Sequence, residues 1–133
     1  MITANPMNDI ALMLKDALEE EVVVTGNLFL VRKLRELVIR SGTSNFSFKV
    51  DCDITFQDIH QQGITINNAE ILLLPSELPP FLSALLSHVN PLPNNYSQRL
   101  VMETDVYCLY MESRELPERF AERFAAALKA VKI

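Results

Sequence analysis

The sequence predicts an α+β fold: one antiparallel sheet of about five strands with helices packed on it, in the order α-α-β-β-β-α-β-β-α. Three observations carry this. Between 45 and 57, Phe46, Phe48, Val50, Cys52, Ile54 and Phe56 alternate with Ser47, Lys49, Asp51, Asp53, Thr55 and Gln57. That period of two gives a strand with an apolar and a polar face. Two further regions, 63–74 and 100–111, are rich in β-branched, leucine and aromatic residues broken by turn formers. The rest shows apolar residues recurring at three and four, as helices covering a sheet require.

The elements follow in chain order. Asn8 suits the N-cap of a helix over 9–21, with Ile10, Met13, Leu14, Ala17 and Leu18 on its buried stripe. Glu19, Glu20 and Glu21 at its end oppose the helix dipole, so this end frays into solvent. Beyond Val22-Val23-Val24 and Gly26, the spacing of Leu30, Leu34, Leu37 and Val38 predicts a second helix over 27–40 with Gly42 as its C-cap. The alternating stretch comes next, as one long strand or two halves of a bent one. Residues 63–66 and 70–74 read as strand pieces around Asn67-Asn68, a pair that tolerates turn or bulge conformations.

Pro75, Pro79 and Pro80 end strand pairing and open a helix that runs to about Val89, with Phe81, Leu82, Leu85, Leu86 and Val89 as its apolar residues. An exposed loop over 90–98 leads to a hairpin turning at Thr104-Asp105. The last helix covers 116–131, with Leu116, Phe120, Phe124, Ala127, Leu128 and Val131 buried and Glu118, Arg119, Glu122 and Arg123 as a charged outer surface.

Size and composition narrow the class. The 133 residues make a single domain (1–133), in which 1–26 is a possible extra N-terminal helical segment. Hydrophobic residues at 49% and a mean hydropathy of +0.13 suggest some apolar surface kept for a partner. Seventeen acidic residues against twelve basic ones give a net charge of -5, with no basic patch, so nucleic acid is not an expected ligand. No basic, apolar leader begins the chain and no apolar run reaches membrane-span length, which predicts a cytoplasmic protein without membrane association.

Catalytic, metal and cofactor signatures are not found. His60 and His88 lack nearby cysteines or a second histidine at zinc-ligand spacing. Asp51 and Asp53 share a strand face as an acid and base pair would, and equally as wet residues of a half-exposed sheet. Asp58 and His60 form a dyad spacing that is common by chance. Glycines at 26, 42 and 63 only exclude a phosphate-cradling loop. Cys52 and Cys108 fall at apolar strand positions and read as buried thiols.

Four stretches carry a resemblance: Ile71-Leu72-Leu73-Leu74-Pro75, the run Phe81 to Asn90, the Leu100 to Met111 hairpin, and the Phe120/Phe124 helix. In layout rather than motif they resemble the class I type III secretion chaperones, the Tir chaperone or CesT-like family, small acidic proteins with the order α-β-β-β-α-β-β-α. The Leu-Leu-x-x-x-Asn that closes the middle helix is similar to that family's ending. The departure is at the front: either the helix at 9–21 is an addition, or it is the family's first helix and 27–40 is inserted. The resemblance implies a non-enzymatic, cofactor-free homodimer that binds an extended segment of a secreted effector protein and keeps it soluble and secretion-competent. It implies a dimer contact at Leu82, Leu85, Leu86 and Val89 and client contacts at Phe46, Phe48, Ile54 and Phe56. Two other classes fit the same sequence: a regulatory or adaptor domain binding a folded partner, and a small enzyme with an unrecognised site.

Overall fold

Tight turns set the connectivity of the sheet. In the computed structural model, which describes residues 6–133, strands β1 (Val22–Thr25), β2 (Leu28–Ser41), β3 (Ser44–Gln61) and β4 (Ile64–Leu73) run as an antiparallel meander. Two residues join each strand to the next. Gly42 (φ +62°) opens the β2–β3 turn, and Gln62 and Gly63 (φ +56° and +80°) form the β3–β4 turn. Left-handed backbone at these sites matches the twist of paired strands, and glycine supplies it without strain. After helix α2 (Leu78–Ser87) and the 88–96 loop, β5 (Ser97–Met102) and β6 (Tyr107–Glu115) form the closing hairpin. β6 lies against β4, so the sheet order is β1-β2-β3-β4-β6-β5.

Helices α1 (Pro6–Leu18), α2 and α3 (Pro117–Ala130) cover one face. Strand parity selects the residues beneath them: Phe29 and Val31 of β2, Cys52, Ile54 and Phe56 of β3, Ala69, Ile71 and Leu73 of β4, Leu109 and Met111 of β6. Leu14 and Leu18 enter from α1, Phe81 and Leu85 from α2, and Phe120, Phe124, Ala127 and Leu128 from α3. Phe56 meets Phe120 edge-on at 5.8 Å between centroids, Phe81 meets Phe124 likewise at 5.8 Å, and Phe120 stacks on Phe124 at 6.1 Å. The edge-on pairs have the geometry that ring quadrupoles favour.

The fold class is as the sequence predicts, α+β with one antiparallel sheet, and the order is α-β-β-β-β-α-β-β-α. The difference is at 27–40, predicted helical and in fact β2. Phe29, Val31 and Leu37 are buried, while Leu34 and Val38, assigned to the helical stripe, are exposed. Helical periodicity there competes with β3, whose unbroken alternation leaves a backbone edge needing a partner. The fourteen residues between the turn at Gly26-Asn27 and the one at Gly42-Thr43 supply it. Gly42 is therefore a hairpin residue rather than a C-cap.

Three smaller corrections have similar causes. α1 begins at Pro6, which places Asn8 inside the first turn, and it ends at Leu18, with Glu19 left-handed (φ +58°). Asn67 does not interrupt its strand: it is buried in β4, with its amide near Ser113 Oγ and Glu115 O, both at 3.4 Å. Arg123, expected on the outer surface of α3, is 1% exposed.

Phe124 joins both helix–helix and helix–sheet packing, so Phe124→Ala should lower unfolding free energy in urea titration by about 3–5 kcal/mol. Leu12→Ala, at an exposed position of α1, should stay within about 0.5 kcal/mol of the parent.

Candidate functional site

Two features of the sheet stand outside the core. The first is a projecting ribbon. β1 pairs with β2 only through Val31, and β4 pairs with β3 only from Asp53 onward, yet β2 and β3 remain paired as far as Ser41 and Ser44. The outer halves of both strands therefore form a two-stranded finger of nine residue pairs, Lys33↔Cys52 to Ser41↔Ser44. At the strand rise this spans about 30 Å. Its backbone edges are unpaired on both sides among the described residues.

The root of this ribbon is clamped. Arg35 Nη1 donates to Leu72 O and to Glu77 Oε1, both at 3.0 Å, and Nη2 donates to Glu77 Oε2 at 2.9 Å. Glu77 Oε1 also accepts from Leu74 N at 2.8 Å. A planar guanidinium facing a carboxylate with two parallel bonds fixes orientation as well as distance. The clamp ties β2 to the end of β4 and the start of α2, where β3 has already left β4. Beyond it, Val38, Ile39 and Arg40 face Leu74, Pro75, Ser76, Thr104 and Asp105 across an open cleft of about 600 Å³.

The second feature is the outer side of α2. Phe81 and Leu85 point inward, while Leu86 is 71% exposed and Val89, just past the helix end, 89% exposed. Met102, on the edge strand β5, is 67% exposed.

The residues singled out from sequence divide accordingly. Phe46 and Phe48 lie on the ribbon, 57% and 39% exposed, whereas Ile54 and Phe56 of the same strand face are fully buried under the helices. Along β3 full burial ends at Cys52, so one alternating pattern serves two environments. On α2, Leu85 belongs to the core and Leu82 packs against its margin, which leaves Leu86 and Val89 as open surface.

Arg32 Nε lies 2.9 Å from Asp53 and 3.8 Å from Asp51 on the uncovered sheet face, so the two carboxylates share one cation. His60 is exposed at 3.5 Å from Asp58, and His88 Nδ1 accepts from Asn90 N at 3.0 Å. Among the described residues no group of three or more His, Cys, Asp or Glu side chains is placed to hold a metal ion, and no helix is long and apolar enough to cross a membrane. Burial pushes the Cys52 thiol up to about 12, with the Asp53 charge adding to the effect. Burial likewise raises the Cys108 thiol. Both are poor nucleophiles at neutral pH.

A buried polar cluster escaped the sequence reading. Arg123 makes two bonds to Glu115, Nη1 to Oε2 at 2.9 Å and Nη2 to Oε1 at 2.7 Å, and donates to the carbonyls of Asn90 and Pro91 at 2.9 and 3.0 Å. Ser113 donates to the same carboxylate at 2.6 Å. The cluster pins the loop after α2 to α3 and β6. Its signal was present: Arg123 is three residues after Phe120 and four before Ala127, on the buried stripe. Thr65 and Asn67 share the parity of Ala69, Ile71 and Leu73.

No protein-family model, curated protein or solved structure matches this chain.

Arg123→Ala should destabilise the fold by about 3–5 kcal/mol in chemical denaturation, because it strands a buried carboxylate. The double change Glu115→Gln with Arg123→Met should recover part of that loss. For Cys52, the native thiol keeps its proton above the ordinary value of 9.0 while the unfolded thiol loses it. Its contribution is full below that value and falls as pH rises toward about 12. The stability difference between the parent and Cys52→Ala should therefore shrink over that range in denaturant titrations, and a thiol reagent at pH 8 should modify Cys52 only after unfolding.

Proposed function

We propose that the protein is a chaperone of the class I type III secretion kind, a homodimer that holds an extended segment of a secreted effector protein and keeps it soluble and secretion-competent in the cytoplasm. In this role it acts without catalysis or cofactor. The observation that carries the proposal is the identity of 28–41 as a strand. With it, α1 takes the place of the family's first helix. Apart from the four-residue β1, the order then reads α-β-β-β-α-β-β-α, the layout on which the resemblance rests.

Surface chemistry supports the same reading. An extended client is held by pairing with free strand edges and by apolar contacts at alternate side chains. The ribbon offers both, with Phe46 and Phe48 on one face. Leu86 and Val89 give the outer side of α2 an apolar surface suited to a second copy, with Leu82 at its margin. The acidic balance of the chain keeps a chaperone soluble beside an aggregation-prone client.

Light scattering on the purified protein should give twice the mass of the chain, and Leu86→Glu with Val89→Glu should give the monomer. Because both side chains are exposed, the double variant should stay within about 1 kcal/mol of the parent in stability. Co-expression with a secreted protein encoded beside it should yield a soluble complex in which the bound client segment remains protease-sensitive outside the footprint. A monomer that retains no extended client would sink the proposal.

A further inference from the structure

The cleft beside the ribbon has two walls of matching chemistry. On the ribbon side stand Val38, Ile39 and Arg40. On the body side stand Leu74, Pro75 and Ser76, which lead into α2, and Thr104 and Asp105 of the β5–β6 turn. Each wall thus carries adjoining apolar side chains and a charge, positive on the ribbon and negative on the body. Arg40 and Asp105 are both exposed, and neither belongs to an ion pair among the described residues. Glu103 adds a second acid to the same turn.

Burial falls off along the ribbon from its root. Leu37 is fully buried, Ile39 is half-buried, and Phe46, which pairs with Ile39, is 57% exposed. These three side chains share the face that continues the helix-covered side of the sheet. The body's cover therefore gives out just beyond Leu37, where the cleft opens. From there outward no third strand of the described sheet supports the ribbon, since β1 ends its pairing at Val31 and β4 at Asp53. Two strands alone twist and bend more readily than a sheet. We propose that the ribbon is a lid hinged at the Arg35–Glu77 clamp, which folds down over the cleft so that Val38 and Ile39 meet Leu74 and Pro75 and Arg40 pairs with Asp105. Closure takes Ile39 out of water and turns Phe46 toward the body, so the open form presents the aromatic row and the closed form hides part of it. An exposed ion pair and a few apolar contacts bias the lid only modestly, which keeps closure reversible. The device goes beyond the chaperone reading and does not rest on it, because the lid closes on this chain's own residues.

The test places spin labels on the full chain at Thr43→Cys, in the turn at the ribbon tip, and at Ser83→Cys, an exposed position of α2, in a Cys108→Ser background with Cys52 left buried. Pulsed dipolar spectroscopy on the protein alone should show two distances, the shorter one from the closed lid. Arg40→Glu should reduce the short-distance population by about twofold or more, and sodium chloride near about 1 M should act in the same direction because the pair is exposed. The exchange Arg40→Asp with Asp105→Arg should restore it. Ile39→Ser should also reduce it, while Lys129→Glu, at an exposed site of α3, should leave it unchanged. Because the charged sites are exposed, circular dichroism should show the charge variants folded.

A single distance that neither Arg40→Glu nor salt alters would overturn the inference, as would a charge exchange that fails to restore what Arg40→Glu removes. So would a short distance that persists when only Thr43→Cys carries a label, since that signal would come from a contact between copies. The measurement is made without client, so each of these outcomes leaves the chaperone proposal where it stands.

Discussion

The antiparallel pairing of β2 with β3 governs the rest of the structure. It runs for fourteen residue pairs, from Leu28↔Gln57 to Ser41↔Ser44, and fixes which side of each strand meets the helices. A slip of β2 by one residue against β3 would turn Phe29 and Val31 to solvent while Ile54 and Phe56 stayed inside. The near half of this pair is locked by burial, because α1 and α3 press on those side chains. The far half is more open, although Leu37 is buried within it, and Arg35, Glu77 and the main chain of Leu72 and Leu74 tie it to β4 and α2.

The buried Arg123–Glu115 pair and the part-buried Arg35–Glu77 pair place irregular segments rather than add to the hydrophobic core. Arg35 holds the departure of the ribbon, and Arg123 holds the loop between α2 and β5. Arg35 bonds one backbone carbonyl and Arg123 two, each besides a carboxylate, so desolvation is offset by several charge-assisted bonds at once. The compensation is less complete at Arg35, whose Nε is buried with no hydrogen-bond partner. Such pairs contribute more to a single defined arrangement than to net stability.

The parts of the fold legible in the sequence were those with one dominant period. The alternation at 45–57 and the three-and-four spacing of Phe120, Phe124 and Ala127 each identified an element and its buried side. Residues 27–40 were misread because Leu30, Leu34, Leu37 and Val38 satisfy a helical stripe as well as the strand satisfies its own alternation. Long-range pairing decided between them. The division of the aromatic row was also invisible: Phe46 and Phe56 look alike in sequence, and only the reach of the helices separates the open one from the buried one. Leu85 and Leu86 are parted in the same way, by the direction in which α2 faces its neighbours. Arg123 and Asn67 were misplaced by residue type although their spacing marked them as internal.

The tight turns that join β1 to β4 have a consequence for how the chain is made. Each strand of the meander is followed by its partner after a two-residue turn, so β1 to β4 can pair before α3 is made. Its inner face, with Phe29, Ile54, Phe56 and Ile71, then waits for Phe120 and Phe124, which emerge after all six strands. Until they arrive, α1 and α2 are the helices that can shield that surface. The nascent chain therefore passes through a stage in which it presents the kind of sticky, strand-edged surface that invites aggregation, and α3 closes it.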